Sequence, residues 1–362
     1  MSLEALGWTP SLESQFAEFR TRGFVPARVI VEHRERYIIS SDFGDKSAEV
    51  TGKLRFGATS RLDFPTVGDW VATSGSATDE LFVIHAFLPR RTLFVRKVAG
   101  QNTEPQPLAA NIDSVFLVTD GGLDFNPRRM ERYLTLAYES GAIPIILLNK
   151  ADISADMDER IVEMESSAPG VPVLAISAAT GEHFDQLAPY IESGKTITLI
   201  GSSGVGKSTI VNRLLGEERI KTNEVSDFQG RGRHTTTSRQ LIALPTGGLL
   251  IDTPGMREIQ LWADEDSLAG TFEDIDQLVS NCRFSDCTHA SEPGCAVRAA
   301  LEDGTLAEDR YASYLKLKRE LRYLETRQDI KAALAEKARW KKIHRIGMEH
   351  MRIKYGGGRK QR

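Results

Sequence analysis

A strand–loop–helix unit around Gly201-Ser202-Ser203-Gly204-Val205-Gly206-Lys207-Ser208 constrains this chain more than any other feature. Its spacing, G-x-x-x-x-G-K-S, is that of a loop that cradles phosphate. It follows the β-rich run Thr196–Ile200 and opens the helical pattern Thr209–Leu215. Backbone N–H groups and the positive end of a helix therefore meet at one point. Lys207 is expected to reach β- and γ-phosphate oxygens, with Thr209 beside it, and the Ser208 hydroxyl to ligate Mg²⁺. A chance Gly/Ser turn ahead of a lysine would not come with this strand and this helix.

The base is read by an earlier motif. Ala142–Leu148 is a continuous apolar run, as expected of a strand buried on both faces of a parallel sheet. Asn149-Lys150-Ala151-Asp152 stands at its end, where open α/β sheets bind ligands. Guanine presents N1–H and an exocyclic amine side by side, and one carboxylate, Asp152, accepts from both. Adenine would leave that carboxylate unpaired, at roughly 2–3 kcal/mol. Asn149 is suited to bond the purine edge and brace the phosphate loop, and the Lys150 stem to lie across the base. Val173–Ala178 is a further strand whose end, Ser177-Ala178, is placed to offer a backbone N–H to the guanine carbonyl. A third apolar strand, Leu249–Ile251, leads to Asp252-Thr253-Pro254-Gly255. Asp252 is expected in the Mg²⁺ shell, and Gly255 as the sensor of the γ-phosphate. Among Thr235, Thr236 and Thr237, spacing does not single out the second Mg²⁺ hydroxyl, although Thr236 is favoured; the glycines at 230 and 232 suit a segment that orders with γ-phosphate.

In ordinary GTPases the phosphate loop and both switches precede the guanine motif. Here the guanine motif comes first, so the domain is circularly permuted. The chain runs from the sensor straight into the C-terminal region, and movement at Gly255 would be transmitted covalently downstream. There Cys282-x₄-Cys287-x-His289-x₅-Cys295 uses every cysteine in the chain. Three thiolates and one imidazole make the closed tetrahedral set of a structural Zn²⁺. An odd cysteine count argues against a secreted disulfide scaffold, and thiols committed to metal suit a reducing cytoplasm. No apolar stretch is long enough to span a membrane, and Met1–Pro10 lacks the layout of a secretory signal.

Charge is unevenly distributed. From Thr326 to Arg362 there are twelve Lys/Arg against three acids, a net of +9 in a chain of −4, which leaves −13 for the rest. Trp340 and Tyr355 stand among the basic residues, which favours phosphate-backbone contacts with RNA over a merely solvated helix face. The first hundred residues read as all-β. Strand-like runs at Ala27–Glu32, Arg36–Ser40, Asp69–Ala72 and Leu81–Ile84 are separated by turns such as Asp42–Asp45 and Ser74–Ser76, which suits an OB-fold barrel of about five strands. Arg90-Arg91 and Arg96-Lys97 would line a nucleic-acid face or cap the linker. The expected fold is thus multidomain: an OB-fold β-barrel over residues 1–98, a circularly permuted α/β P-loop GTPase over 99–268, and a helical zinc-binding domain with a basic tail over 269–362.

The permuted order, the β-rich start and the Cys282–Cys295 cluster before a basic end resemble the bacterial RsgA/YjeQ GTPases. More specific echoes are Asp124-Phe125-Asn126, His234-Thr235-Thr236-Thr237, Asp252–Gly255 and Asp286-Cys287-x-His289-x₂-Glu292-Pro293-Gly294-Cys295. The match runs from about Phe24 to the tail. It implies GTP hydrolysis stimulated by the small (30S) ribosomal subunit during late maturation of that subunit, with rRNA binding. The first 23 residues depart from relatives with a basic arm, since only Arg20 and Arg22 face Glu4, Glu13 and Glu18. Where Ras-like enzymes carry a water-orienting glutamine, Met256 stands, so unassisted turnover is expected near 10⁻⁴–10⁻³ s⁻¹ or below, as estimates on the order of small GTPases. His234 is the best side chain available to position the attacking water; the alternatives are a solvent-exposed or ribosome-contacting role. Arg231 and Arg233 would clamp charge or bind rRNA. Two other classes compete: a GTPase acting on a non-ribosomal RNA, and a GTP-regulated binding scaffold. Monomer is the default state.

Overall fold

A computed structural model describes residues 1–33, 36–97, 105–122, 124–216, 239–252, 268 and 270–320. Near the N-terminus, β1 (Val25–Glu32), β2 (Tyr37–Ser41), β3 (Gly44–Val50), β4 (Trp70–Ser74) and β5 (Leu81–Phe87) close into a barrel. The ring runs β1-β2-β3-β5-β4 and returns to β1; all its pairs are antiparallel except β3 with β5. Closure removes the free edges a small sheet would otherwise expose. Inward-facing Ala27, Val29, Ile39, Ala48, Val71, Phe82 and Ile84 fill it. This is the five-stranded OB-type barrel expected, with two corrections. The turn assigned to Asp42–Asp45 gives way at Gly44 to β3, whose sequence Gly-Asp-Lys-Ser-Ala-Glu-Val buries only Ala48. The segment is also not all-β. Helix α1 (Pro10–Thr21) is capped by Thr9, whose hydroxyl accepts from the Leu12 N–H, and starts with Pro10. Its Leu12 and Phe16 are buried, with Trp8 edge-on between Phe16 and Trp70. A short α2 (Gly52–Gly57) bridges β3 and β4.

A hairpin of β6 (Leu93–Lys97) and β7 (Pro105–Ala110) follows the barrel. Beyond it lie β8 (Ser114–Asp120), β9 (Ile143–Asn149), β10 (Val173–Ala175), β11 (Thr196–Gly201), β12 (Arg239–Ala243) and β13 (Leu249–Asp252), ordered β10-β9-β8-β11-β13-β12. All pairs are parallel except β12 with β13. Alternation decides which face each residue serves. Val115, Leu117, Ile146 and Leu148 pack with Met130, Leu134 and Ala137 of α3 (Pro127–Ser140) and Met164 of α4 (Met157–Ser167). Phe116, Val118, Ile145 and Leu147 pack with Ile210, Val211, Leu214 and Leu215 of α5 (Lys207–Leu215).

Barrel and central sheet are one hydrogen-bonded surface. β1 pairs with β12 at Val31↔Gln240 and Glu32↔Arg239. Glu32 accepts from Arg239 at 3.3 Å and from the Thr66 hydroxyl at 2.7 Å. Nearby, the buried Arg28 guanidinium donates to the carbonyls of Leu6, Gly68 and Asn111, stitching N-terminus, barrel and linker. Burial pushes its pKa down to about 10. Arg90 is also structural: it pairs with fully buried Asp69 at 2.7 Å and donates to Leu62 and Phe64 carbonyls. Arg91 reaches Asp113 at 3.1 Å. Both arginines therefore secure the linker, Arg90 largely buried and Arg91 with its side chain 54% exposed beside Asp113.

The C-terminal part packs α6 (Glu273–Ser280), α7 (Ala296–Glu302) and α8 (308–320) around Phe272, Ile275, Val297, Leu306, Tyr314 and Leu317. Leu136 and Tyr133 of α3 belong to the same cluster, so this part rests on the central sheet's own helix. No helix among the described residues is long and apolar enough to cross a membrane.

Candidate nucleotide site and metal centre

Parallel strands bring Asp120, Asn149, Gly201 and Asp252 to the same carboxyl edge. β11 enters the phosphate loop with Gly201, where a Cβ would stand 2.3 Å from the Val118 carbonyl oxygen, so only glycine fits. Val205 is fully buried and anchors the loop, while Ser203 and Gly204 are exposed and Ser208 and Thr209 half-buried at the start of α5. Gly204 and Gly206 adopt φ of 86° and 94°, which turn successive N–H groups toward the concave side. Gly206 also caps α5, with no side chain in the way. The Lys207 ammonium arches over the loop onto the carbonyls of Gly201, at 2.6 Å, and Ser202.

Asn149 joins this loop to the base-reading segments. Its side chain is 2% exposed; Nδ2 donates to the Val205 carbonyl at 2.8 Å and Oδ1 accepts from the Ala178 N–H at 3.0 Å. The expected brace is therefore in place. The Ala178 N–H, one of the two backbone donors of Ser177-Ala178, thus bonds Asn149. Ser177 is buried and receives the Thr180 N–H on its hydroxyl, shaping the same loop. Asp152 lies exposed at the start of a short 3₁₀ turn, Ala151–Ile153, entered through Lys150 at φ 65°. Asp252 ends β13 beside the phosphate loop, half-buried. His234, Thr235, Thr236, Thr237, Gly255 and the basic tail from Thr326 lie outside the described residues.

Two neighbours of the site carried no signal in the sequence. Arg213 on α5 donates through Nε to the Ala178 carbonyl and through a terminal nitrogen to that of Ala179, both at 2.7 Å. It packs so closely under Gly181 that a Cβ there would lie 2.4 Å from it. An arginine on an amphipathic helix reads as a solvated charge, and only the fold brings it to the Ser177–Ala179 loop. Asp120, at the end of an all-buried strand, is the second, and its Oδ2 lies 2.8 Å from the Lys150 ammonium.

The four residues expected to bind zinc converge, with their ligand atoms all within 4.8 Å of one another. Cys282 Sγ lies 3.9 Å from Cys295 Sγ and 3.6 Å from His289 Nδ1, and Cys295 Sγ lies 3.4 Å from that nitrogen. A tetrahedral Zn²⁺ with ordinary bond lengths sets S···S near ~3.8 Å and S···N near ~3.6 Å, so the donor set fits the ion. The turns are built for it. His289 and Gly294 take φ of 62° and 75°, and the Glu292 carboxylate gathers the N–H groups of Thr288, Ala290 and Ser291 at 3.0 Å each. The Thr288 side chain, then the N–H groups of Thr288, Glu292 and Ser291, hold the Glu292 pKa down at about 2. Cys295 caps α7 by accepting the Arg298 N–H at 3.3 Å.

The family model described as RsgA GTPase matches residues 87–262. A model described as ABC transporter matches residues 184–362, a span that contains the phosphate loop common to both kinds of nucleotide-binding domain but excludes Asn149–Asp152. A small ribosomal subunit biogenesis GTPase RsgA of Opitutus terrae is 47% identical over 353 residues, covering 95% of this chain and 96% of the relative. One from Oceanobacillus iheyensis, RsgA 1, is 48% identical over 318 residues, 88% of this chain and 91% of its own. Among solved structures, YjeQ from Thermotoga maritima superposes with a TM-score of 0.63 at 29% identity, covering 82% of this chain and 98% of its own. YloQ, described as a circularly permuted GTPase, gives 0.61 at 24% identity over 83% and 95%, a likeness of fold. Near-half identity along almost the whole of both chains, on a permuted sheet with the nucleotide motifs at one edge, leaves a single assignment: the chain belongs to the RsgA GTPase family.

Proposed function

We propose that this chain is a GTP hydrolase that serves the assembly of the small ribosomal subunit in the cytoplasm, as a monomer, and that the subunit stimulates its turnover. The observation that carries the reading is Asn149, whose one buried side chain ties the phosphate loop to the base-reading loop. The names of the relatives supply the subunit. We divide the chain near residues 98 and 268 into barrel, permuted GTPase and zinc domain, with the β6–β7 hairpin as the strap between the first two.

In this reading Gly201–Thr209 binds the phosphates and Asp152 reads guanine. Ser208, Asp252 and Thr236 hold Mg²⁺, which when bound with GTP offsets charge across the β- and γ-phosphates. Lys207 exchanges its carbonyl partners for phosphate oxygens. Gly255 senses the γ-phosphate, and His234 positions the attacking water once the subunit is bound. Cys282, Cys287, His289 and Cys295 hold a structural Zn²⁺ that shapes the rRNA-facing module.

Phosphate release from GTP and from ATP, with and without purified small subunits, tests the function. Slow GTP-specific turnover that rises about 10³-fold or more with subunits is expected. Turnover indifferent to subunits would remove the ribosome from the reading. The base assignment has its own test in Asp152→Asn. Xanthine carries a carbonyl where guanine carries its amine, and an asparagine amide donates to it. GTP affinity should fall about 100-fold while xanthosine triphosphate gains, since a charge-assisted bond contributes ~1.5–3 kcal/mol. For the metal, elemental analysis should find one zinc per chain, lost in Cys287→Ser. A loss of about 3 kcal/mol would lower the unfolding midpoint by roughly 6–12 °C. A zinc-free wild type with an unchanged midpoint after chelation would refute the structural role.

A further inference from the structure

The geometry points to Asp120 as a positioning residue for guanine-nucleotide binding, one that holds Lys150 in place for the base. The inference rests on the GTPase reading above and deepens it at the base end of the site. Strands β8 and β9 run parallel with Asp120 level with Asn149. The chain then turns through Lys150 in the left-handed region, φ 65°, which swings its side chain back toward β8. There the ammonium meets Asp120 Oδ2 at 2.8 Å. The carboxylate is 6% exposed, and its other oxygen accepts the N–H groups of Gly122 and Asp124 at 3.1 and 3.0 Å.

One buried carboxylate thus does two jobs. It folds the loop after β8, and it pins the lysine, whose four-carbon stem spans the ends of two strands on the edge that carries Asp152. The loop itself is wedged in place. A Cβ on Gly121 would lie 2.3 Å from Ser154 Oγ, and the Thr119 hydroxyl donates to the Asp124 carbonyl at 3.0 Å. A lysine left unpinned keeps several rotamers that each binding event must then freeze out. The pin acts before the nucleotide arrives, so it serves GTP and GDP alike and leaves phosphate chemistry alone.

Asp120→Asn separates the two jobs, because an amide oxygen still accepts from Gly122 and Asp124 while the charge opposite Lys150 is gone. Calorimetric titration of the full chain should give about tenfold weaker binding of both GTP and GDP. At saturating GTP, kcat should stay within twofold and the nucleotide-free unfolding midpoint should be unchanged. In a Lys150→Ala background the same substitution should add less than twofold, since the pinned group is already absent. Affinities within twofold of wild type in Asp120→Asn, or a full tenfold loss that persists in the Lys150→Ala background, would overturn the inference. A wild-type chain that binds no GTP in the same titration would instead overturn the function on which it rests.

Discussion

Replacing Gly206 with alanine should lower GTP affinity by at least about 100-fold while the chain stays folded. Gly206 has φ 94°, and a Cβ there would stand 2.2 Å from Asn149 Nδ2. An L-residue in that backbone region costs about 1–2 kcal/mol. The collision adds more, because Asn149 is buried and cannot swing into solvent. It must release the Val205 carbonyl, the Ala178 N–H or both, and each buried group left unpaired costs about 1–3 kcal/mol. Gly204→Ala is the matched control. Its φ is 86°, and nothing lies within 4 Å of the added Cβ, so strain acts alone and the loss should be nearer tenfold. Titration of both variants with GTP checks the ranking. If Gly206→Ala binds as well as Gly204→Ala, Asn149 is not the brace.

The same residues show what the sequence made legible in the site. Glycines at fixed spacing announce a phosphate loop because only glycine tolerates φ near 90° and contacts as close as Gly201 to the Val118 carbonyl. Asn149, Lys150 and Asp152 are readable because an apolar strand delivers them. Partners contributed from elsewhere were hidden. Arg213 and Asp120 join the site only when the sheet order sets α5 under the Ser177–Ala179 loop and β8 beside β9. No local pattern encodes that adjacency. The Cys3His cluster was legible for the opposite reason, since all four candidate ligands fall within one short stretch and loop chemistry alone brings them together.

In the fold, strands with alternating or continuous apolar residues were predictable, and β3 was not, because a barrel strand of polar residues with one buried alanine has no periodic signature. Helix α1 was missed although Thr9-Pro10 is a proper start signal. Its pattern is weak because it buries only two residues. The β1–β12 pairing that fuses barrel and sheet links residues about two hundred positions apart, beyond the reach of any local rule. The covalent link from the sensor to the C-terminal part was readable from the order of motifs, whereas the docked surface on α3, a second connection, was not.

That docked surface should fail when Arg310 is removed. All five N–H donors of its guanidinium are engaged: Nε and one terminal nitrogen with Asp274 at 2.8 Å each, and the remaining protons with Glu131 at 3.0 Å and the carbonyls of Ser167 and Thr271 at 2.8 and 3.3 Å. Glu131, on α3, is fully buried and also receives the Ser313 hydroxyl at 2.6 Å and Arg128. Arg310→Ala leaves Glu131 buried with one cationic partner fewer, which should cost about 3–5 kcal/mol. Hydrogen exchange in α8 and in the buried face of α3 should accelerate together. The pH dependence follows from the signs. Burial holds the Glu131 carboxyl above its ordinary range even with Arg310 present, and removing the cation raises it further. A carboxyl raised in the folded state contributes stability below its unfolded pKa and loses it as pH rises through the folded one. The defect of Arg310→Ala should therefore be largest at neutral pH and shrink as the pH falls and Glu131 takes up a proton. Asp274 behaves in the opposite sense: burial pushes it up, Arg310 outweighs that, and its contribution holds above ~3.9 and fades only as pH falls through its lower folded value. A paired Arg310→Met, Glu131→Leu chain, with no buried charge to strand on α3, should recover most of the loss. A defect that stays constant as the pH is lowered from neutral, or that the paired substitution deepens, would mean that side-chain packing rather than charge holds the module in place.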